Sequence, residues 1–425
     1  MVSVERISQF VKESLENKFI RNFGWMGGSE FFSRLSYVFT TVTLARCLTQ
    51  YDYGLAAIVL TVNELMQVFT RMGIGVKIIQ SDQEDFDALC NSAYWLNWCV
   101  FIALFITQCL ASFGVARFYN DPQLILPICT IALIYLIVPI SSIQASLVLK
   151  ENRLKVTALT NTIQLTVGNL MAIGFALAGL GMWSIILPRV LSAPVWVYMF
   201  YTSHSWRPTS GFSTKYWGEI LKFTKNVLGV QLLKALRNNI DYLLIGRFIG
   251  IEQLGIYFFA FNAGLGISLS IINAINSALF PHLCSLRSNW EKFRQQYFNS
   301  LKTIALILVP VVVLQASLAS FYVPIIFGQK WIIAIPVLIL ICLSAIPRPF
   351  ADAASNVIVA VGRPDIDLRW NLIFTTLFMG ALLIGVRWQA LGVAIAVLAS
   401  HWLFLPLYTL WVSRFVFSRM QPHTT

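Results

Sequence analysis

The sequence predicts an all-α polytopic membrane protein, with twelve transmembrane helices in two homologous six-helix lobes. Three observations predict it. Hydrophobic residues make up 57% of the chain and charged ones 12%, whereas soluble domains carry about 25% charged residues; mean hydropathy is +0.70. Apolar runs of about 20 residues, enough to cross a bilayer as helix, recur without the alternation of barrel strands. The chain also repeats itself: LARCLTQYDYGL at Leu44–Leu55 returns 201 positions later as IGRFIGIEQLGI at Ile245–Ile256.

In that repeat Arg46 falls on Arg247, Leu48 on Ile249, Gly54 on Gly255 and Leu55 on Ile256. Each copy lies between two long apolar runs, as a short turn between membrane helices does. LASF at Leu110–Phe113 recurs at Leu318–Phe321. Arg153 and Asn161 align with Arg363 and Asn371, and Leu180-Gly181 aligns with Leu391-Gly392. Several matches in one order, with an offset drifting only from 201 to 211, point to duplication rather than to chance likeness of apolar segments.

The elements follow in order. Residues 1–22 form an N-terminal amphipathic segment: Val4, Ile7, Phe10, Val11, Leu15 and Phe19 share one helical face, with Arg6, Gln9, Glu13 and Glu16 opposite, as in a helix lying on a membrane surface. No apolar core precedes a small-residue cleavage site there, so no cleavable signal peptide is expected. The first lobe covers 23–203 with spans at 24–45, 53–76, 91–113, 123–148, 157–178 and 181–203. A cytoplasmic linker at 204–226 carries Arg207, Lys215, Lys222 and Lys225 with Tyr216 and Trp217, and suggests a surface helix. The second lobe covers 227–412 with spans at 227–246, 253–280, 303–322, 332–360, 371–386 and 391–412, and 413–425 is a C-terminal tail.

Lys and Arg set the orientation. With the N-terminus in the cytoplasm, the outer loops hold only Arg46, Arg117, Arg247, Lys330 and Arg387, and the inner loops and tails hold most of the 31 basic residues. Both termini are therefore expected to be cytoplasmic. An even number of spans per half makes the halves parallel repeats. The net charge of +12 follows this sidedness and implies no nucleic-acid partner. The seven cysteines lie mostly inside apolar runs and form no CxxC, so packing is their expected role, not a disulfide or metal framework.

Ionisable groups inside spans are costly and are the candidates for function. At 100° per residue, Glu30, Ser33, Arg34, Tyr37 and Thr40 share a face of the first span, and Gln231, Lys234, Arg237, Asn238 and Asp241 share the matching face of the seventh. Glu30–Arg34 and Arg237–Asp241, both at i,i+4, can neutralise one another. Three cations against two carboxylates in these stripes still favour an anionic substrate. Glu64 sits mid-span beside Asn63 and Gln67; it is open to a coupling proton or sodium ion, or to a helix–helix hydrogen bond. Arg348 and Asp352 follow Pro347 and flank Pro349, where a proline-broken helix or a structural ion pair is expected. No GxxxxGK[ST], no clustered catalytic carboxylates and no His/Cys metal set occur, so neither an enzyme nor a metal or cofactor is expected.

LARCLTQYDYGLAAI, FTRMGIGVKIIQ, LVLKENRLKVTAL, GLGMWSI and VIVAVGRPDIDLRW, taken in that order, resemble the polysaccharide-transporter or Wzx-type oligosaccharide flippase branch of the multidrug/oligosaccharidyl-lipid/polysaccharide exporter superfamily. The resemblance implies a MATE-like fold with a central cavity opening alternately to either side. It also implies carriage of a polyprenyl-pyrophosphate-linked glycan across the bacterial cytoplasmic (inner) membrane, for exopolysaccharide, capsule or O-antigen (lipopolysaccharide) assembly. Membrane lipid, a polysaccharide polymerase and glycosyltransferases are the partners it suggests. It puts Arg34, Lys234 and Arg237 on the pyrophosphate. A multidrug/cation antiporter and a lipid II flippase remain alternatives, and a membrane glycosyltransferase would need larger outer loops than these.

Overall fold

The computed structural model describes residues 33, 36–70, 74–80, 85–208, 211–265, 279, 283 and 289–419; the amphipathic segment expected over 1–22 lies outside them. Among the described residues there is no β-strand. The chain separates into two compact units, 1–48 with 59–235 and 49–58 with 236–425.

In the first unit the helices are α1 (36–47), α2 (Gln50–Gln67, whose first residues belong to the second unit), α3 (Ile74–Gln80), α4 (Phe86–Tyr119), α5 (Ile125–Ala132), α6 (Ile134–Ile137), α7 (Ser142–Lys150), α8 (Leu154–Leu177), α9 (Trp183–Leu191) and α10 (Ala193–Ser203). The second unit holds the end of α11 (Trp217–Phe248), then α12 (251–265), α13 (Trp290–Ser317), α14 (Ala319–Tyr322), α15 (Ile335–Ser344), α16 (Arg348–Ala360), α17 (Pro364–Gly385) and α18 (Gln389–Arg419). Among the described residues seven helical stretches are long and apolar enough to cross a membrane. One of them, Pro364–Phe417, holds two expected spans joined by the tight turn Val386–Trp388. Spans one, two and eight reach beyond the described residues, so twelve is not a count these residues yield.

Local chemistry explains the breaks. α4 stops where Asn120 turns left-handed at φ 55°, and the Asp121 carboxylate then accepts from the Gln123 backbone N–H at 2.9 Å to open the next turn at Pro122. The tenth span is discontinuous as expected: α15 ends at Ser344 and α16 restarts at Arg348, with Pro347 between them and Pro349 at the new helix start. The fourth span breaks likewise around Pro139, which aligns with Pro349 at an offset of 210. α9 and α10 divide at Ser192, just ahead of Pro194. The linker boundary drawn at 226 falls inside α11, because no proline interrupts Trp217–Phe248 and the helix runs through.

Duplication is also written in the backbone. Asn120 and Gly328, Asn152 and Gly362, and Gly179 and Gln389 hold positive φ in pairs. Their offsets are 208, 210 and 210, within the drift of the sequence repeat. Residue type differs within each pair while the turn is kept, so geometry outlasted the sequence that encoded it.

Within the first unit the segment 204–217 is pinned over the ends of α4 and α7. Asn91 donates to Gly211 O at 3.1 Å, Ser92 Oγ accepts from Tyr216 N at 3.1 Å, and Gln144 donates to Trp206 O at 3.3 Å. Lys215 pairs with Asp85, and Lys77 pairs with Glu219 on α11. Arg207 caps the end of α10 through the Tyr201 and His204 carbonyls and lies 3.7 Å over the Tyr201 ring.

Candidate functional site

In the second unit α11, α12, α16, α17 and α18 bring ionisable side chains together. Asp241 is buried; it accepts from the Tyr257 hydroxyl at 2.8 Å and the Tyr242 N–H at 3.0 Å. Arg237, four residues back on the same face, donates to Asn371 Oδ1 and has its guanidinium 5.7 Å from the Phe374 ring centre. Arg348, at the start of the restarted helix, interacts electrostatically with Asp241, Asp352, Tyr257 and Tyr242. The charged neighbours of Arg237 are Asp352, Arg348 and Asp367. Asp367 is itself buried and accepts from Ser355 at 2.7 Å and Tyr408 at 2.9 Å. His401 Nδ1 lies 3.1 Å from Ser344 O and 3.4 Å from Arg348 Nε, and its ring stacks on Phe378 at 5.5 Å.

Packing brings further charges to the stripe of α11. Counting one helix face found Arg237 against Asp241; packing adds Arg348 but also Asp352 and Asp367. Among the described residues of this cluster, Arg237 and Arg348 stand with three carboxylates, Asp241, Asp352 and Asp367.

In the first unit the Tyr135 hydroxyl lies 3.2 Å from both Asn63 Oδ1 and Gln108 Oε1, and Gln108 donates to Ile128 O at 3.0 Å. This buried network joins α2 to α4 and α5 beside Glu64, which stays accessible. Asn169 on α8 donates to Ser36 on α1 at 3.0 Å, next to Tyr37. Both Tyr37 and Glu64 interact electrostatically with Arg189 of α9.

Of the residues singled out in the sequence, Glu30 and Arg34 lie outside the described set. Tyr37, Glu64, Lys234, Asn238 and Asp352 are accessible, Arg237 and Arg348 are half-buried, and Asp241 is buried. Arg237, Asp241, Arg348 and Asp352 are brought together; Lys234 belongs to the first unit. Sequence reasoning passed over Arg189, Asp367 and His401. A signal existed for Arg189, a charge next to Pro188 inside an apolar span, the same signal that marked Arg348 beside Pro347.

Residues 43–336 match the family model described as polysaccharide biosynthesis protein. The chain is 25% identical over 371 residues to the teichuronic acid biosynthesis protein TuaB of Bacillus subtilis (strain 168), covering 84% of this chain and 76% of that one. It is 25% identical over 362 residues to the lipopolysaccharide biosynthesis protein WzxC of Escherichia coli (strain K12), covering 84% and 73%. Against the succinoglycan biosynthesis transport protein ExoT of Rhizobium meliloti (strain 1021) identity is 22% over 369 residues, covering 86% and 74%. Among solved structures, the lipid II flippase MurJ in an inward closed conformation superposes with TM-score 0.76 at 14% identity, over 93% of this chain and 87% of that one. An inward-facing multidrug resistance MATE family transporter superposes with TM-score 0.68 at 16% identity, over 92% and 96%. At these identities the structures show the fold alone: an all-α, multi-pass, MATE-like membrane protein. Since the family model spans well over half of the sequence, the chain belongs to the polysaccharide biosynthesis protein family.

Proposed function

We propose that the protein is a flippase, not an enzyme, carrying a polyprenyl-pyrophosphate-linked oligosaccharide across the bacterial cytoplasmic membrane for exopolysaccharide, capsule or O-antigen assembly. The observation that carries this reading is the family match over 43–336 on a MATE-like fold. The physics agrees. A pyrophosphate cannot enter hydrocarbon unaided, because burying its charge costs many kcal/mol. Ionisable and polar side chains held inside the spans replace its water, while the prenyl tail stays in lipid.

In this proposal Arg34, Lys234 and Arg237 contact the pyrophosphate, with Glu30, Tyr37, Asn238, Asp241, Arg348 and Asp352 around it, and the headgroup is exposed to one side at a time. Glu64 is the group proposed to take a coupling proton or sodium ion; no other cofactor is proposed. Both termini are cytoplasmic, consistent with the distribution of Lys and Arg. Glycosyltransferases supply the substrate and a polymerase consumes it.

The test uses the purified protein in vesicles holding a fluorescent polyprenyl-pyrophosphate oligosaccharide in one leaflet. Chemical access to the sugar from the opposite side is expected to rise with time. Movement of lipid II alone, or ion-driven efflux of organic cations with no glycan movement, would overturn the proposal in favour of the corresponding alternative.

A further inference from the structure

Three spans of the first unit are interrupted short of the linker end. α2 closes in a tight turn, where the Phe69 and Thr70 N–H groups reach back only to Met66 O and Gln67 O at 3.1 Å, and α3 opens at Ile74. The fourth span breaks at Pro139. The sixth divides at Ser192, where Pro194 has no N–H to offer the Val190 carbonyl. The pieces beyond these breaks are short: α3 has 7 residues, α7 has 9 and α10 has 11. Between them α4 and α8 run unbroken for 34 and 24 residues.

The three short pieces pack as a group. α3 and α10 both lie on α7, while α9, on the far side of its break, lies on α5. A β-carbon on Gly75 of α3 would stand 2.8 Å from Ser146 Oγ of α7, and Ala145 and Val148 of α7 close on Phe200 of α10. Lys150 at the end of α7 donates to Ile78 O of α3 at 3.4 Å. The linker ties the group together, through Gln144 to Trp206 O and through Trp217 Nε1 to Ser92 O at 3.0 Å. Its apolar core, around Ile78, Leu89, Ile143 and Ile220, is distinct from the next core along α4, formed by Phe101, Leu104, Ala132 and Tyr135. Among the described residues Val100 alone is packed against both.

The level between the two cores is polar. Asn97 of α4 donates to Ser142 Oγ, and Ser142 Oγ donates to Pro139 O at 3.2 Å across the break. The neighbouring Ser141 hydroxyl is buried and has no hydrogen-bond partner. Such a group costs stability, which a second setting of α7 that partners it would recover. We propose that α3, α7 and α10 form one tier with the linker, and that this tier tilts on α4 and α8 about the level of Thr70, Ser141 and Ser192. Helix ends at prolines and turns absorb the backbone change, as hinges do. The proposal rests on the flippase reading for its purpose, which is to widen and narrow the linker end of the first unit during glycan passage.

The test follows amide hydrogen exchange in the full-length protein in nanodiscs, and glycan movement in vesicles. Gln144→Ala removes the tie to Trp206 O. It is expected to speed exchange in α3, α7 and α10 together by about five-fold, the size of one lost hydrogen bond, and to leave α5 and α9 unchanged. Pro139→Ala and Pro194→Ala each let a span add a backbone hydrogen bond that must reopen at every tilt. Each is expected to slow glycan movement by about five-fold, with an unchanged amount of folded protein. Exchange that rises in α7 alone, a rise shared equally by α5 and α9, or wild-type glycan movement in both proline variants would each overturn the proposal. Should the proline variants fail to fold, the exchange pattern of Gln144→Ala decides it. A wild-type protein that moves no glycan sinks the flippase reading separately, since the exchange pattern reads the tier without it.

Discussion

Gly54 and Gly255 occupy equivalent positions in a symmetric crossing. A β-carbon on Gly54 would lie 1.9 Å from the carbonyl oxygen of Ile251, and one on Gly255 would lie 1.8 Å from the carbonyl oxygen of Gln50. Ile251 stands to Gln50 as Gly255 stands to Gly54, at the same offset of 201. The two copies of the repeated motif pack on each other backbone to backbone, within the unit formed by 49–58 and 236–425. Tyr53 seals the crossing against Phe258, Phe259 and Trp331, with ring centres 6.3, 6.1 and 5.1 Å away. Close approach of helices through small residues is how membrane helices gain packing energy, since lipid supplies no hydrophobic drive between them.

Gly54→Ala and Gly255→Ala should therefore destabilise the protein to a similar extent, by about 1–3 kcal/mol each, because the obstructing atoms are backbone and cannot rotate away. Thermal unfolding of the detergent-purified variants measures this. The double variant should cost less than the sum, since the first substitution already separates the two helices. Two unperturbed melting curves would show that the crossing is looser than its geometry.

Tyr135→Phe should lower stability by about 1–2 kcal/mol. It removes the hydroxyl whose one proton the buried Asn63 and Gln108 carbonyl oxygens share. The same thermal assay reads it, with Tyr94→Phe as a control whose hydroxyl is outside this network.

The Asp85–Lys215 pair predicts a pH window for the linker. Hydrogen bonding to Lys215 holds the Asp85 carboxyl below its ordinary value of 3.8, and Asp85 in turn raises the Lys215 ammonium. A lowered carboxylate pKa stabilises above the ordinary value and is lost as pH falls through the lowered one. A raised ammonium pKa stabilises below its ordinary value and is lost as pH rises through the raised one. The tether should thus hold across neutral pH and release at both extremes. Both groups are exposed, so the effect is small and weakens with salt. Hydrogen exchange of the 204–217 amides should accelerate below about pH 4 and should do so at neutral pH in Lys215→Ala.

Arg237→Ala should lower glycan export at least ten-fold with an unchanged amount of membrane-inserted protein. Arg237→Lys should not restore it fully, since a single ammonium cannot reproduce both the Asn371 contact and the placement over Phe374. Export is measured in cells against protein level in the same membranes. Wild-type export in Arg237→Ala would remove Arg237 from the proposed site.

Much of the fold was legible in the chain. Apolar runs marked the helices, the Leu44–Leu55 and Ile245–Ile256 copies marked duplication, and Pro347 with Pro349 marked the broken tenth span, because each of these is a local property of the backbone. The site was legible only in part. Helical spacing put Arg237 and Asp241 on one face and found the polar stripe of α11. It did not find Asp367 or His401, which reach Arg237 and Arg348 from α17 and α18.

Sequence alone therefore determined the class of protein, the order of its helices, the break at Pro347 and Pro349 and the repetition of one half in the other. Tertiary structure alone decided which charges meet. It set three aspartates around Arg237 and Arg348, put Arg189 within electrostatic reach of Tyr37 and Glu64, and gave the first turns of α2 to the second unit. The reason is physical: periodicity states which side chains share one helix face, whereas the charge balance of a site depends on which other helices pack against that face.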